Sequence, residues 1–182
     1  MIAFLINELD IRGGTHKQFL KLLDYTSKKN VDFFILTKRI NYQHTYPGFQ
    51  KYRDRIYMLP ECNSSNRWMR PMDWIRYAFK LRKILKNVKV VNIHDNGFEM
   101  FFAMLPDKKI YWQINDLPPC FQTGVFASRI SWKNAIKRFI VRFGVRHAVQ
   151  EISVNVSKNK KRVQSCLHRD AKVFYCGIEP LT

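Results

Sequence analysis

The sequence predicts an α/β fold built on a parallel sheet of about seven strands flanked by helices. Short runs rich in β-branched and aromatic residues alternate along the chain with longer segments of helical periodicity. Several of the short runs are apolar throughout, which is typical of strands covered on both faces. The length of 182 residues and a hydrophobic share of 46% fit a single domain, residues 1–182, with a sizeable core.

Seven apolar runs are candidate strands: residues 2–6, 31–36, 55–59, 88–93, 109–114, 151–156 and 172–175. Three apolar stripes at helical spacing lie between them, and we expect all three to pack into the core. The stripes are Phe19, Leu22 and Leu23; then Ile75, Ala78, Leu81 and Leu85; then Trp132, Ala135, Ile136, Phe139, Ile140 and Phe143. Repeated strand–helix units predict a Rossmann-like sheet, whose ligands bind outside the carboxyl ends of the strands.

The loop after the first predicted strand is a candidate site for an anion or a substrate. Gly13 and Gly14 allow a ligand to approach the backbone closely. Thr15 and Gln18 fit the capping-box pattern of a helix N-terminus, whose free amide groups would face the crevice. A plain strand–helix turn explains these residues about equally well. The loop has neither the dinucleotide-binding nor the Walker pattern, so those two folds are not indicated.

Polar residues also end the fourth predicted strand. His94 and Asp95 stand where an apolar strand meets the crevice, and Asn96 follows them. Such a pair can bind sugar hydroxyls or transfer a proton, which makes His94 a candidate catalytic residue and Asn96 a candidate substrate contact. A lone histidine at a strand end is more often a structural residue.

Two further loops carry candidates. Asn115 and Asp116 follow the fifth predicted strand and precede two prolines, so they either support a rigid turn or point into the cleft. Ser157 follows the sixth strand and is expected to be a helix N-cap and a phosphate contact. The basic run at 158–162 is either a solvated helix face or a means of attracting a diphosphate or a lipid phosphate.

The charge of the chain is strongly unbalanced. Lysine and arginine number 32 against 14 aspartates and glutamates, a formal net charge of +18. This excess indicates anionic partners, among which nucleic acid, an anionic membrane face and phosphorylated substrates are the candidates.

Cysteine usage and hydropathy suggest an intracellular protein. Cys62, Cys120, Cys166 and Cys176 are scattered without any Cys-x-x-Cys pair, so we expect reduced thiols and no metal site. The apolar start of the chain is too short for a signal peptide. We therefore expect the protein in the cytoplasm, peripheral on the inner face of the membrane.

Two predicted helices combine cations with aromatic residues, as helices that lie on anionic membranes do. In the first, Arg76, Lys80 and Lys83 share a face near Trp74, and these four are candidate membrane contacts. In the second, the cations Lys133, Lys137, Arg138, Arg142 and Arg146 surround the third apolar stripe.

Five short segments, in this order, resemble the N-terminal domain of family-4 glycosyltransferases, which have the GT-B fold. Gly13-Gly14 resembles that family's glycine-rich loop. V-V-N-I-H at 90–94 is similar to its strand end D-V-V-H-x-H, and Y-W-Q-I-N-D at 111–116 to its v-x-t-x-H-D. I-S-V-N-V-S at 152–157 is similar to v-i-x-v-S, and V-F-Y-C-G-I-E-P at 173–180 to v-i-x-N-G-v-D. The resemblance covers the whole chain.

The resemblance implies one half of a GT-B enzyme that transfers a sugar, with retention, from a nucleotide-diphosphate donor to a glycan or lipid-linked acceptor. In that family the N-terminal domain holds the acceptor, and a C-terminal domain with an E-x7-E motif grips the donor. No two glutamates here have that spacing. We therefore expect the donor domain on a continuation of the chain or on a separate chain, and this fragment alone to be inactive.

The resemblance also suggests roles for individual residues. Gly13, Gly14 and Thr15 would contact phosphate or acceptor, while His94, Asn115 and Asp116 would orient the sugar or the acceptor. Asn115 stands where the family usually has histidine, and it can preserve positioning but cannot titrate. No cofactor or metal is implied, since the nucleotide sugar is a co-substrate.

Two other functions are compatible with the sequence. A basic non-enzymatic module for nucleic acid fits the charge, but none of the common nucleic-acid motifs is present, so nucleic acid is the less favoured partner. An accessory subunit of a split glycosyltransferase would supply acceptor or membrane recognition to a separate catalytic chain.

Overall fold

A computed structural model describes residues 1–59, 70–122 and 132–174, and it confirms the predicted α/β, Rossmann-like fold. The strands run parallel in one seven-stranded sheet with the order β3-β2-β1-β4-β5-β6-β7. They are β1 Ile2–Leu9, β2 Phe33–Ile40, β3 Ile56–Met58, β4 Val90–His94, β5 Lys109–Ile114, β6 Val149–Val154 and β7 Lys172–Val173. Tyr175 of the last predicted strand, Cys62, Cys176 and the end of the motif at 173–180 lie outside the described residues.

Helices connect the strands, as parallel pairing requires. The α-helices are α1 Gly14–Lys28, α2 Arg70–Ile84, α3 Trp132–Ala148 and α4 Ser157–Leu167. Shorter 3-10 helices cover Pro47–Arg55, Glu99–Met104 and Pro119–Phe121.

The side chains of β1, an inner strand of the sheet, belong to two separate core clusters. Alternate side chains of a strand point to opposite faces. Phe4 and Ile6 therefore join Phe19 of α1 in one cluster, whereas Ala3 and Leu5 join the other. The second cluster is the larger and includes buried residues of α2, α3 and α4. The strand order reverses between β1 and β4, which creates a crevice at the carboxyl ends of these two strands.

Two predicted helix starts are wrong in detail. Helix α1 begins at Gly14 with Gly13 as its N-cap, so Thr15 lies inside the first turn and cannot cap it. The Thr15 hydroxyl instead accepts a hydrogen bond from Asn115 Nδ2 at 2.9 Å. Helix α4 has Val156 as its N-cap, and Ser157 is its first helical residue. Both helices begin one or two residues earlier than a side-chain cap would require.

The expectation that the third apolar stripe packs into the core is also wrong. Helix α3 buries Val141, Gly144, Val145 and Ala148 instead. Trp132 and Phe139 are 70% and 69% exposed, and Ile136 and Phe143 are each 47% exposed. The helix thus carries two apolar faces, and the one made of smaller residues packs against the 3-10 helix Glu99–Met104. In the other two stripes, Phe19, Leu23, Ala78, Leu81 and Leu85 are buried as predicted, while Ile75 is exposed.

Candidate functional site

A cleft of about 390 Å³ opens at the crevice between β1 and β4. Its walls are the loop after β1, the start of α1 and the loop after β4, which are neighbours because β1 pairs with β4. It is lined by Ile6, Asn7, Glu8, Ile11, Gly13, Thr15, His16, Asp95, Asn96, Gly97, Glu99 and Pro119. Three of the predicted contacts, Gly13, Thr15 and Asn96, thus share one cleft.

The start of α1 forms one wall. Gly13 has an extended backbone, and a side chain added at Gly14 would meet nothing within 4 Å. Neither glycine is therefore required by the fold, and Gly13 lines the cleft beside the first turn of the helix. His16 is held in place because its Nε2 lies 2.9 Å from the carbonyl oxygen of Glu8.

Asp95 forms the opposite wall in an uncommon backbone conformation. Its φ is +66°, in the left-handed region that a residue with a side chain rarely adopts. Two contacts to β5 fix it: the Asp95 amide donates to the Gln113 carbonyl at 2.8 Å, and Trp112 Nε1 donates to the Asp95 carbonyl at 2.8 Å. Burial raises the pKa of the Asp95 carboxyl, with smaller contributions that include the charges of Asp116 and Glu99. A carboxyl at a cleft wall that has a raised pKa and a backbone of positive φ is a candidate functional residue.

Gly97 and Glu99 complete that wall. Gly97 has φ +114°, and a Cβ there would lie 2.6 Å from Asn7 Oδ1, so this position does require glycine. Its amide donates to the Glu99 carboxylate, and Lys38 Nζ donates to its carbonyl at 2.8 Å. The sequence reasoning missed Gly97 and Glu99 because neither belongs to a recognised motif.

His94 lies behind the cleft and does not line it. Its side chain is 1% exposed and packs against the Phe19 ring at a centroid distance of 4.9 Å. Neither ring nitrogen has a hydrogen-bond partner among the described residues. Burial, and secondarily the nearby charge of His16, lowers the pKa of His94 to about 3. The structure therefore places His94 where it can support the cleft wall, without a surface for touching a substrate.

Side-chain amides connect the loops around the cleft. Asn115 Nδ2 donates to Thr15, and the Asn115 carbonyl accepts from Asn159 Nδ2 at 2.6 Å. Asn96 Nδ2 donates to the carbonyl of Asp116 at 2.9 Å. The Oδ1 atoms of Asn96 and Asn115 are buried without a partner among the described residues. Asn115 thus links α1, β5 and α4, as a positioning residue would.

Asp116 and Ser157 lie at the edge of this network. The Asp116 carboxylate accepts from the Leu117 amide and from Arg162 NH1, both at 2.8 Å, and so stabilises its own turn. Ser157 is exposed and does not line the cleft. The contact of α4 with the site is made instead by the buried Asn159, which the sequence reasoning did not single out.

The cleft is acidic although the chain is strongly basic. Glu8, Asp95 and Glu99 line it, and no lysine or arginine does so among the described residues. Glu8 is partly neutralised because Arg39 bonds to it and also to Asp10. Carboxylates and amide oxygens accept hydrogen bonds, so the cleft suits a ligand rich in hydroxyl groups better than a phosphate.

The residues predicted to contact a membrane lie on α2, away from the cleft lining. Trp74 is half-buried and stacks on Phe101 at 5.2 Å, so it belongs to the core packing. Arg76, Lys80 and Lys83 are exposed. Their membrane contact stays a prediction.

Among the described residues, no helix combines the length and hydropathy that a membrane span needs. Those residues also contain no cluster of three His, Cys, Asp or Glu arranged to hold a metal ion. Cys120 and Cys166 are both free thiols.

Comparison of the sequence with known proteins identifies no relative: no protein-family model matches the chain, and no curated protein is significantly similar to it.

Proposed function

We propose that the chain is the acceptor-side domain of a glycosyltransferase and that the cleft between β1 and β4 holds the acceptor. The observation that carries the proposal is a cleft at the switch point of a parallel sheet, lined by carboxylates, amides and the start of a helix. Hydroxyl groups of a sugar donate to carboxylates and accept from amides, and this lining offers both. The resemblance of five loop segments to family-4 glycosyltransferases supports the same function.

In this proposal Asp95 is the residue that contacts the reacting group. The acceptor hydroxyl donates to the Asp95 carboxylate, which orients its oxygen toward the anomeric carbon of the donor sugar. The new bond forms between that oxygen and the anomeric carbon as the bond to the diphosphate breaks, and the hydroxyl proton passes to the Asp95 carboxylate. Donor and diphosphate are held by a second domain or chain, which closes over the cleft. Asn115 and Asn96 position the loops that carry these contacts.

The acidity of the cleft narrows the class of ligand that we expect it to bind. Gly13, Gly14 and Thr15 then contact a sugar through backbone amides and a hydroxyl, and a phosphate at that place would meet Glu8 and Asp95. We therefore propose a neutral glycan portion of the acceptor as the occupant. This also separates the proposal from nucleic-acid binding, whose phosphates require cations at the site.

A glycan-binding assay tests this function without the donor domain. The fluorescently labelled chain is applied to an array of immobilised neutral and acidic glycans. Each glycan that binds is then added to the isotopically labelled chain, and the shifts of its amide signals are measured by NMR. We expect a neutral glycan to shift the amides of residues 13–16 and 95–97. Asp95→Asn should weaken binding about tenfold or more, since it removes a hydrogen bond to a charged group. Asp32→Asn is the matched control, because Asp32 is exposed and lies at the amino-terminal edge of the sheet.

Two outcomes would overturn the proposal. One is the absence of any glycan that shifts the cleft amides while single-stranded nucleic acid binds with steep salt dependence, which would favour the nucleic-acid module. The other is equal loss of glycan binding in Asp95→Asn and Asp32→Asn, which would place the glycan elsewhere.

A further inference from the structure

Helix α3 presents an apolar stripe to solvent on the side opposite its buried face. Trp132, Ile136, Phe139 and Phe143 recur at spacings of four, three and four residues, and all are exposed. At 3.6 residues per turn this stripe lies across the helix from the buried Val141 and Val145. It extends over roughly 16 Å of the helix axis. The rings of Phe139 and Phe143 stack on each other with centroids 6.4 Å apart.

A cationic groove of about 570 Å³ adjoins the stripe, between α3 and the end of α4. Arg142, Arg146, His168 and Arg169 line it together with Phe139 and Phe143. Two of the arginines are anchored, since Arg142 Nε donates to the Cys166 carbonyl at 2.8 Å and Arg169 donates to the Val149 carbonyl at 2.9 Å. Each guanidinium has further donors beyond these bonds.

The two helices beside the stripe carry charge of one sign. Neither α3 nor α4 contains an aspartate or a glutamate, while both carry several lysines and arginines. A second copy of the chain that met this face through its own α3 would bring cations against cations. A partner for this face has to present a broad anionic surface to the cations and an apolar layer to the aromatic stripe. An anionic membrane has both properties.

We propose that the outer face of α3, with the groove beside α4, binds anionic phospholipid membranes. The aromatic stripe enters the interface between headgroups and acyl chains, and the groove receives lipid phosphates through Arg142, Arg146 and Arg169. Helix α2 is then a lesser contact, because Trp74 packs against Phe101. This inference rests on α3 and α4 alone and does not depend on the sugar-transfer function of the cleft.

Vesicle co-sedimentation at low salt tests the proposal with the whole chain. The probes are vesicles of phosphatidylcholine alone and vesicles that also contain phosphatidylglycerol. We expect binding only to the second, with Phe139→Ala reducing affinity about tenfold. Arg146→Gln should reduce it about fivefold, the effect of one basic residue at such a surface.

Tyr25→Ala and Lys28→Gln on α1 are the matched controls, since both side chains are exposed there, and they should bind as tightly as the parent chain. Phe79→Ala and Arg76→Gln measure the lesser contact of α2, and they should weaken binding less than the α3 variants do.

Several results would overturn the proposal. Equal binding to both kinds of vesicle would remove the anionic requirement. If vesicle binding is lost in the α2 variants and kept in the α3 variants, the membrane contact lies on α2, which carries the candidate residues predicted from the sequence. A dimer seen by light scattering and abolished by Phe139→Ala would make the stripe a protein interface. Circular dichroism of each variant distinguishes lost binding from lost folding.

Discussion

His94 is a titratable group that the fold keeps in its neutral form. The ring is buried against Phe19, and burial lowers its pKa to about 3 from an ordinary value near 6.5. A histidine with a lowered pKa in the folded state binds its proton more readily when the chain unfolds. The contribution of His94 to stability is therefore unchanged above pH 6.5 and becomes increasingly unfavourable as the pH falls from about 6.5 toward 3.

Replacing His94 should make the protein less sensitive to acid. We expect the free energy of unfolding of His94→Leu to fall less between pH 6 and pH 4 than that of the parent, by about 2–3 kcal/mol, since one proton contributes about 1.4 kcal/mol per pH unit. Urea unfolding followed by circular dichroism at each pH measures the difference. His44→Leu, at an exposed histidine, is the comparison variant for the replacement itself. Parallel curves for parent and His94→Leu would show that His94 titrates normally in the folded protein.

The end of β4 shows which features of a residue could be predicted from the sequence and which could not. The strand ending at His94 was predictable because its apolar run is strong and short. The direction of the His94 side chain was not, because it depends on which face of β4 is covered by α1. Val91 and Ile93 face one core cluster, and alternation turns His94 toward Phe19 on the other face. Asp95, one residue later, emerges at the cleft because its backbone turns to positive φ.

At the scale of an element, α3 explains why apolar periodicity predicted the helix but not its buried face. The helix has one stripe of large apolar residues and another of smaller ones. Periodicity alone predicts that the stripe of large residues is the buried one. The small stripe is the one that packs, because Gly144 allows a close approach to the 3-10 helix Glu99–Met104. A Cβ at Gly144 would lie 2.7 Å from Phe102 Cβ and 2.8 Å from the Ala103 amide nitrogen. Such contact with backbone cannot be read from the sequence of α3.

Gly144→Ala should therefore destabilise the protein although alanine favours helices. The helical preference of alanine over glycine is worth about 1 kcal/mol. Overlap with the Ala103 backbone requires the helix to shift, and overpacking of this kind costs about 1–3 kcal/mol, so we expect a net loss of stability. Gly14→Ala is the matched control, since nothing lies within 4 Å of its added Cβ, and it should be neutral or stabilising. Thermal and urea unfolding compare the two, and an equally stable Gly144→Ala would mean that α3 packs less closely than described.

At the scale of the whole molecule, the order of the strands determines the site. The sequence predicted seven strands, and it predicted that ligands bind at their carboxyl ends. The grouping of Thr15, Asn96 and Asp95 in one cleft depends on β1 pairing with β4, which the chain order of the strands does not reveal. The same strand order brings Asn115 into hydrogen-bonding distance of Thr15, although the two residues are 100 positions apart in sequence.

The distribution of charge is the other property that belongs to the whole molecule. The cleft lining is acidic, while α3 and α4 together carry nine lysines and arginines and no aspartate or glutamate. Repulsion among these cations destabilises the compact state, and salt screens it over about 8 Å at physiological ionic strength. Surface ion pairs such as Lys160–Asp170 offset this repulsion only weakly, since an exposed pair contributes at most about 1 kcal/mol to stability.

The melting temperature should consequently rise when sodium chloride is added from low to physiological concentration at neutral pH. Differential scanning calorimetry measures it, and the double variant Lys133→Gln and Lys137→Gln, which removes two exposed cations from α3, provides the comparison. We expect this variant to melt higher than the parent at low salt and to respond less to added salt, because it starts with less repulsion to screen. A melting temperature that falls with salt would mean that favourable ion pairs outweigh the repulsion. The cations of α3 and α4 would then stabilise the fold, and their concentration on one face would no longer indicate an external anionic partner.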